Sequence, residues 1–148
     1  MKFRTAKIDD LKILNTISVK AKAYWGYPED WLEKWKDDLT LDESKFSKQN
    51  IVVLELQDQI SGFCSVGENE DSYEILHLWL LPGHIGKGYG KKLLDEAINR
   101  FTRKDKPIKV EADPNAEPFY ERLGFVTFDK VESFPKGRYL PVMRKMFS

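Results

Sequence analysis

The run Glu74-Ile75-Leu76-His77-Leu78-Trp79-Leu80-Leu81, followed after Pro82-Gly83 by His84-Ile85-Gly86-Lys87-Gly88-Tyr89-Gly90, decides the architecture of this chain. Its first part is a short apolar run and reads as a buried strand. The three glycines at alternate positions let the backbone approach an anion closely, because no Cβ stands in the way. Successive N–H groups in such a turn form a concave nest, and a following helix adds the positive end of its dipole. From Gly90 to about Thr102 the spacing predicts that helix, with Leu93, Leu94, Ala97, Ile98 and Phe101 on one stripe. A glycine loop joining a strand to a helix is where α/β proteins bind phosphates. Lys87, Lys91 and Lys92 crowd the helix start ahead of the first acids, Asp95 and Glu96. Cations there are repelled by the helix dipole, and the arrangement becomes favourable once a polyanion occupies the loop. A plain connecting loop is the competing reading, and the lysines weigh against it.

Working outward, Phe3 to Ile8 reads as a first strand, with Asp9 capping a helix from Asp10 to about Ala23. Tyr24-Trp25-Gly26-Tyr27-Pro28 breaks that helix, and a second follows with Trp31, Trp35 and Leu39 on one side. Asn50 to Leu56 and Ile60 to Val66 form a hairpin around Asp58-Gln59, before a strand from Tyr73 to Leu81. Beyond the glycine loop and its helix, Pro107 to Ala112 is a further strand. Asn115 can cap a short helix in which Pro118 occupies the first turn and Gly124 marks the end. Phe125 to Phe128 and Tyr139 to Met146 complete the set. The order β-α-α-β-β-β-α-β-α-β-β describes one mixed α/β domain over residues 1–148.

Balanced charge limits the partners. The chain has 148 residues, with 24 Lys and Arg against 24 Asp and Glu. Neither a nucleic-acid footprint nor a polybasic membrane anchor is indicated. No apolar run spans a bilayer and the first residues do not form a signal peptide. Cys64 is the single cysteine, and with two separated histidines it leaves little material for a metal site. A cytoplasmic, metal-free protein acting as monomer or homodimer is expected.

Three pieces together resemble the GNAT superfamily of acetyl-CoA-dependent (GCN5-related) N-acetyltransferases. Gly86-Lys87-Gly88-Tyr89-Gly90 is similar to that family's pyrophosphate loop, Gln/Arg-x-x-Gly-x-Gly/Ala. The strand Glu74 to Leu81 resembles the one beside the pantetheine arm. Asn115-Ala116-Glu117-Pro118-Phe119-Tyr120, running on to Gly124-Phe125, resembles the second cofactor motif. Ile85 departs from the pattern, standing where Gln or Arg is usual. The backbone N–H groups of residues 86–90 remain to form the cradle.

The resemblance implies a mostly antiparallel sheet flanked by helices. It also implies transfer of an acetyl group from acetyl-CoA (coenzyme A) to a primary amine by direct attack. A primary amine with a pKa near ~10 is mostly protonated at neutral pH, so a base must take its proton. The attack creates an oxyanion that wants a preorganised N–H, and the departing thiolate wants a proton donor.

Glu74, eleven positions before Ile85 like the glutamate of the histone-acetylating branch, is a candidate base. Simple alternation would put it on one face with Leu76, Leu78 and Leu80, where a carboxylate among leucines has a raised pKa. It can equally be a strand-end residue facing solvent or a lysine. His77, on the other face, is the alternative base, or else a hydrogen-bonded core histidine. A water relay is a third route. Tyr120 matches the family's proton donor to the coenzyme A sulfur. The cofactor contacts implied are Leu78, Trp79 and Leu80 of the strand, with Leu80 orienting the acetyl carbonyl. From the loop they are Ile85, Gly86, Lys87, Gly88, Tyr89, Gly90 and Lys91, and from the second motif Asn115, Phe119 and Tyr120.

For the acceptor, a small-molecule amine or a protein amino group, Tyr24, Trp25 and Tyr27 beside Glu29 and Asp30 could receive a cationic amine. Arg138 is a further candidate contact. A dinucleotide-binding domain is a rival reading, but the loop lacks G-x-G-x-x-G spacing. A P-loop would need a Ser or Thr after Lys87, which Gly88 does not supply. A non-catalytic acyl-CoA-binding sensor on the same fold is the other alternative.

Overall fold

Both faces of the central strands are apolar, so the sheet must be covered on both sides. In the computed structural model, which describes residues 1–147, that is the arrangement. The strands are β1 (Lys2–Thr5), β2 (Asn50–Leu56), β3 (Gln59–Glu68), β4 (Tyr73–Leu80), β5 (Ile108–Glu111), β6 (Val126–Ser133) and β7 (Arg138–Lys145). They form one sheet in the order β1-β2-β3-β4-β5-β7-β6. Only β4 and β5 pair in parallel; the other neighbours are antiparallel. The helices are α1 (Leu11–Ala23), α2 (Glu29–Leu39), α3 (Glu43–Ser47), α4 (Tyr89–Phe101) and α5 (Glu117–Arg122). None is long and apolar enough to cross a membrane.

Alternation along β2 divides the interior in two. Val52 and Leu54 join Cys64, Tyr73, Ile75 and the α4 residues Leu93, Leu94 and Ala97 on one face. Ile51 and Val53 join Phe63, Leu41 and the α1 residues Leu14 and Ile17 on the other. The mixed, mainly antiparallel fold read from the sequence is therefore present, with local differences. The helix α3 was not anticipated, because five residues carry too little periodicity to read. Its start is set by Asp42, whose side chain accepts the Lys45 N–H at 2.8 Å. Asp9 does not cap α1. Its neighbour Asp10 instead accepts the Lys7 N–H at 2.7 Å and pairs with Arg4. The β2–β3 turn is centred on Gln57 and Asp58, both at positive φ, rather than on Asp58-Gln59.

Gly124 ends α5 at φ +93°, as its position predicts. Asn115 is not the cap ahead of that helix. Asp113 accepts the Asn115 N–H at 2.8 Å and closes a 3-10 turn over Pro114–Ala116, from which α5 continues. The connection from β4 to α4 likewise contains a short 3-10 turn, Pro82–His84.

The spacing of β3 and β4 rests on Gly62. A Cβ there would lie 2.6 Å from Leu80 Cδ2 and 2.7 Å from the Trp79 carbonyl oxygen. The carbonyl cannot swing away without breaking the ladder. Gly62→Ala is expected to cost about 1–3 kcal/mol in urea unfolding, the ordinary penalty for overpacking. A loss within about 0.5 kcal/mol, the range of neutral surface changes, would mean that the strands part easily at this point.

Candidate active site

Parallel pairing of β4 with β5 lasts for three positions, Tyr73 with Ile108, Glu74 with Lys109 and Ile75 with Val110. Next to the end of that pairing β4 carries a bulge. Ser65 of β3 pairs with His77 and Val66 with Ile75, so Leu76 is an extra residue opposite no partner. Beyond it the two strands part. The Leu81 N–H donates to the Ser61 carbonyl on the β3 side at 2.8 Å. By alternation the N–H groups of Leu78 and Leu80 point the other way, to the edge that β5 has left. A cavity of about 1010 Å³ opens along this edge.

One end of the cavity is the glycine loop. Gly86 and Gly88 take φ of +83° and +82°, with nothing of the chain near where a Cβ would stand. Left-handed geometry is what demands glycine at these two positions. At Gly90 the demand is space, since a Cβ would meet Phe119 Cε1 at 3.2 Å. Gly88 is the residue at which α4 begins, and no acid stands in the first turn. Ile85, Gly86, Gly88, Gly90 and Lys91 line the cavity, whereas Lys87 and Tyr89 stand outside its wall. Lys91 also pairs with Asp95 at 3.0 Å along the helix.

The middle is apolar. Leu78, Trp79, Leu80, Phe119 and Tyr120 line it. The Tyr120 ring stands edge-on to Phe119 and Phe125, with centroids at 5.1 and 5.3 Å. Burial, reinforced by the neighbouring Cys64, pushes the Tyr120 hydroxyl well above its ordinary pKa. Burial pushes the Cys64 thiol up in the same way. Both groups stay protonated throughout the neutral range.

The bulge at Leu76 corrects the expected faces of β4. Tyr73 and Ile75 pack toward α4, and after the extra residue so do Leu78 and Leu80. Glu74 therefore lies on the opposite face from Leu78 and Leu80. It accepts a hydrogen bond from Asn69 Nδ2 at 3.1 Å and does not line the cavity. His77 does line it, packed on Phe63 with ring centroids 5.9 Å apart. Its Nδ1 accepts the Trp79 indole N–H at 3.1 Å. The proton of the neutral ring therefore sits on Nε2, and the one free lone pair is already engaged. Desolvation, with a smaller contribution from Lys45, brings its pKa down to about 4.

At the other end stands a polar cluster. Lys22 of α1 pairs with Asp113. The Tyr27 hydroxyl donates to Asp113 at 3.0 Å and accepts from Asn115 Nδ2 at 3.0 Å and Arg138 Nη2 at 3.1 Å. Lys22 Nζ and Arg138 Cζ lie 4.7 and 4.5 Å from the centroid of Trp35. Burial opposes ionisation of Asp113, but Lys22 and its other donors outweigh it and hold the carboxyl below its ordinary range. Burial draws the Lys22 pKa down, Asp113 opposing. Trp25 and Arg138 line the cavity, Tyr27 stands behind them in the network, and Tyr24 is exposed outside it. The aromatic surface expected to receive an amine is thus partly covered: cations of the chain itself sit on Tyr27 and Trp35.

A family model for an acetyltransferase (GNAT) domain matches residues 18–146. The chain belongs to this family. Solved structures with the same fold include a GCN5-related N-acetyltransferase of Rhodopseudomonas palustris, at 24% identity and TM-score 0.80, covering 98% of this chain and 94% of that one. A PaiA N-acetyltransferase of Thermoplasma acidophilum, solved in complex with coenzyme A, matches at 21% identity and TM-score 0.77, with 99% and 98% covered. The ribosomal-protein-S18-alanine N-acetyltransferase of Escherichia coli matches at 17% identity and TM-score 0.73, with 99% and 94% covered.

Within this GNAT domain several wall residues were not singled out as site residues from the sequence. Lys22 stands one helical turn, i+4, beyond the buried Ser18, a spacing that could have drawn notice. Glu111 and Arg122 also line the cavity, as does Asp38. Glu111 lies next to the point where β5 leaves β4, and only the sheet topology reveals that.

His77 makes a pH prediction. An unfolded histidine takes up a proton below about pH 6.5, whereas folded His77 stays neutral down to about 4. The stability it contributes is complete above 6.5 and is lost as the pH falls toward 4, by about 3 kcal/mol. Urea unfolding at pH 7 and pH 4 should show a smaller acid loss for His77→Gln than for the wild type. Equal losses would mean that the imidazole is hydrated and titrates normally.

Proposed function

We propose that this chain transfers an acetyl group from acetyl-CoA to a primary amine. The observation that carries the reading is that one cavity joins the glycine cradle, the unpaired edge of β4 and Tyr120. The residues suit the cofactor. Gly86 and Gly88 hold a nest open at the start of α4, with Lys91 and Arg122 on the wall for phosphate charge. The absence of a Gln or Arg side chain at Ile85 leaves the backbone to do most of that binding. Leu78 and Leu80 offer unpaired backbone groups to an amide-containing arm, much as a strand edge accepts another strand.

Acetyl-CoA held there supplies a thioester, whose C–S bond breaks as the C–N bond to the amine forms. Tyr120, which burial keeps protonated near neutrality while making it a weaker acid, gives its hydroxyl proton to the leaving sulfur and regains one from solvent. A backbone N–H on the open edge of β4 meets the charge that develops on the acetyl oxygen. Glu111, a carboxylate on the cavity wall, takes the ammonium proton and passes it to solvent. Glu74, the base expected from strand position, is set aside because it lies off the wall. His77 is set aside because Trp79 occupies its lone pair.

Tyr120→Phe should lower kcat by about 100-fold with the acetyl-CoA Kd within about 2-fold, because a general acid contributes roughly 10²–10⁴. Loss of binding would show that Tyr120 shapes the pocket instead. Glu111→Gln should lower kcat/KM by about 100-fold, and Glu74→Gln by less than about 3-fold, measured by thiol release on a panel of amines. The reverse order would return the base to Glu74. Acetyl-CoA binding without turnover on any amine would favour an acyl-CoA-binding sensor, and no binding at millimolar concentration would end the transferase reading.

A further inference from the structure

Among the recessed side chains at the end of the cavity away from the glycine loop, positive charges outnumber negative ones. The side chains of Lys22, Arg138 and Asp113 are 10%, 12% and 9% exposed. Two cations thus share one carboxylate. Asp38 and Glu111 also stand on the cavity wall, but both are exposed and neither hydrogen-bonds or ion-pairs with the cluster among the described residues. The ring faces of Tyr27 and Trp35 soften the surplus without cancelling it. Leaving a buried charge without a counter-ion is costly.

Arg138 also keeps donors in hand. Its Nη2 reaches the Tyr27 hydroxyl at 3.1 Å and Asp113 at 3.5 Å, and its Nη1 reaches Ser133 Oγ at 3.3 Å. Its Nε–H meets no acceptor among the described residues, and no side-chain N or O atom that is fully buried lacks a partner. The free N–H is therefore accessible, on a residue that lines the cavity.

We propose that the acceptor is a small amine that also carries a carboxylate, with Arg138 and Lys22 receiving the carboxylate while the amine faces the acetyl group. The proposal rests on the acetyl-transfer reading of the same cavity and narrows its substrate. A free amino acid brings both groups on one molecule. Its ammonium is matched by Glu111 and its carboxylate by the surplus cation. The amino terminus of a protein brings a neutral peptide carbonyl where the amino acid has its carboxylate, and so leaves that cation unpaired. A site built to bond a charged group discriminates strongly against the analogue lacking it, because the site's own groups are then stranded.

The test uses α- and ω-amino acids, their carboxamides and the matching amines without the carboxyl group. Thiol release with acetyl-CoA is measured alongside calorimetric binding of the same compounds to the protein, with and without coenzyme A. The best amino acid should exceed its carboxamide in kcat/KM by about 10-fold or more. Arg138→Gln should collapse that ratio toward one by raising the KM for the amino acid, and Arg138→Lys should restore part of it. Equal or better use of carboxamides or plain amines by the wild type overturns the proposal. So does an Arg138→Gln variant that lowers all three classes by one factor, which is what a merely structural network would give. If acetyl-CoA fails to bind, the transfer reading falls, and calorimetry still judges the acceptor site. Binding of an amino acid at least about 10-fold tighter than its carboxamide, lost in Arg138→Gln, supports the carboxylate site, and no difference refutes it.

Discussion

Everything at the site depends on the brevity of the β4–β5 pairing. Parallel neighbours cannot be joined by a tight turn and need a crossover, here α4, which must start where β4 ends. The glycine loop is consequently at the mouth of the gap that the two strands leave between them. After Ile75 and Val110 the strands share no ladder, and the bulge at Leu76 resets β4 just as its partner departs. Backbone groups on that edge still need hydrogen-bond partners. The fold thus builds a strand edge, an anion nest and a helix N-terminus into one continuous wall.

Along that wall the environment changes in a definite order. The loop end is backbone N–H and lysine, the middle is leucine and aromatic rings around Tyr120, with Cys64 buried next to that phenol, and the far end is charged. Low dielectric in the middle keeps the phenol and the thiol protonated. Tyr120 makes use of this in the proposed chemistry, whereas Cys64, wholly buried, is left as a small apolar residue.

Asp113 ties the ends together. It closes the turn that leads into α5, which carries Phe119 and Tyr120, and it also receives Lys22, Tyr27 and Arg138 from α1, the loop before α2 and β7. A change at the charged cluster therefore reaches the helix that carries Tyr120. Removing one partner of such a buried pair strands the other.

Strand–glycine loop–helix order, the apolar stripes and the Asn115–Phe125 motif were legible from the sequence, because each depends on residues close together in the chain. Gly86, Gly88 and Gly124 could be read in advance, since positive φ at a loop or helix end is a local demand. The face of Glu74 could not be read, because a bulge is decided by pairing with β3, some ten residues away, and not by β4 itself. Asn115 looked like a helix cap until Asp113, two residues earlier, proved to hold the turn. Lys22, Asp113 and Arg138 are far apart in sequence and ordinary in type, and only packing of α1, the end of β5 and β7 brings them together. The chain by itself determined the geometry of the glycine loop, since that turn is made of backbone with glycine at its positive-φ positions. Tertiary structure alone decided what faces it across the cavity, because charge at that end is assembled from segments that meet only when the sheet closes.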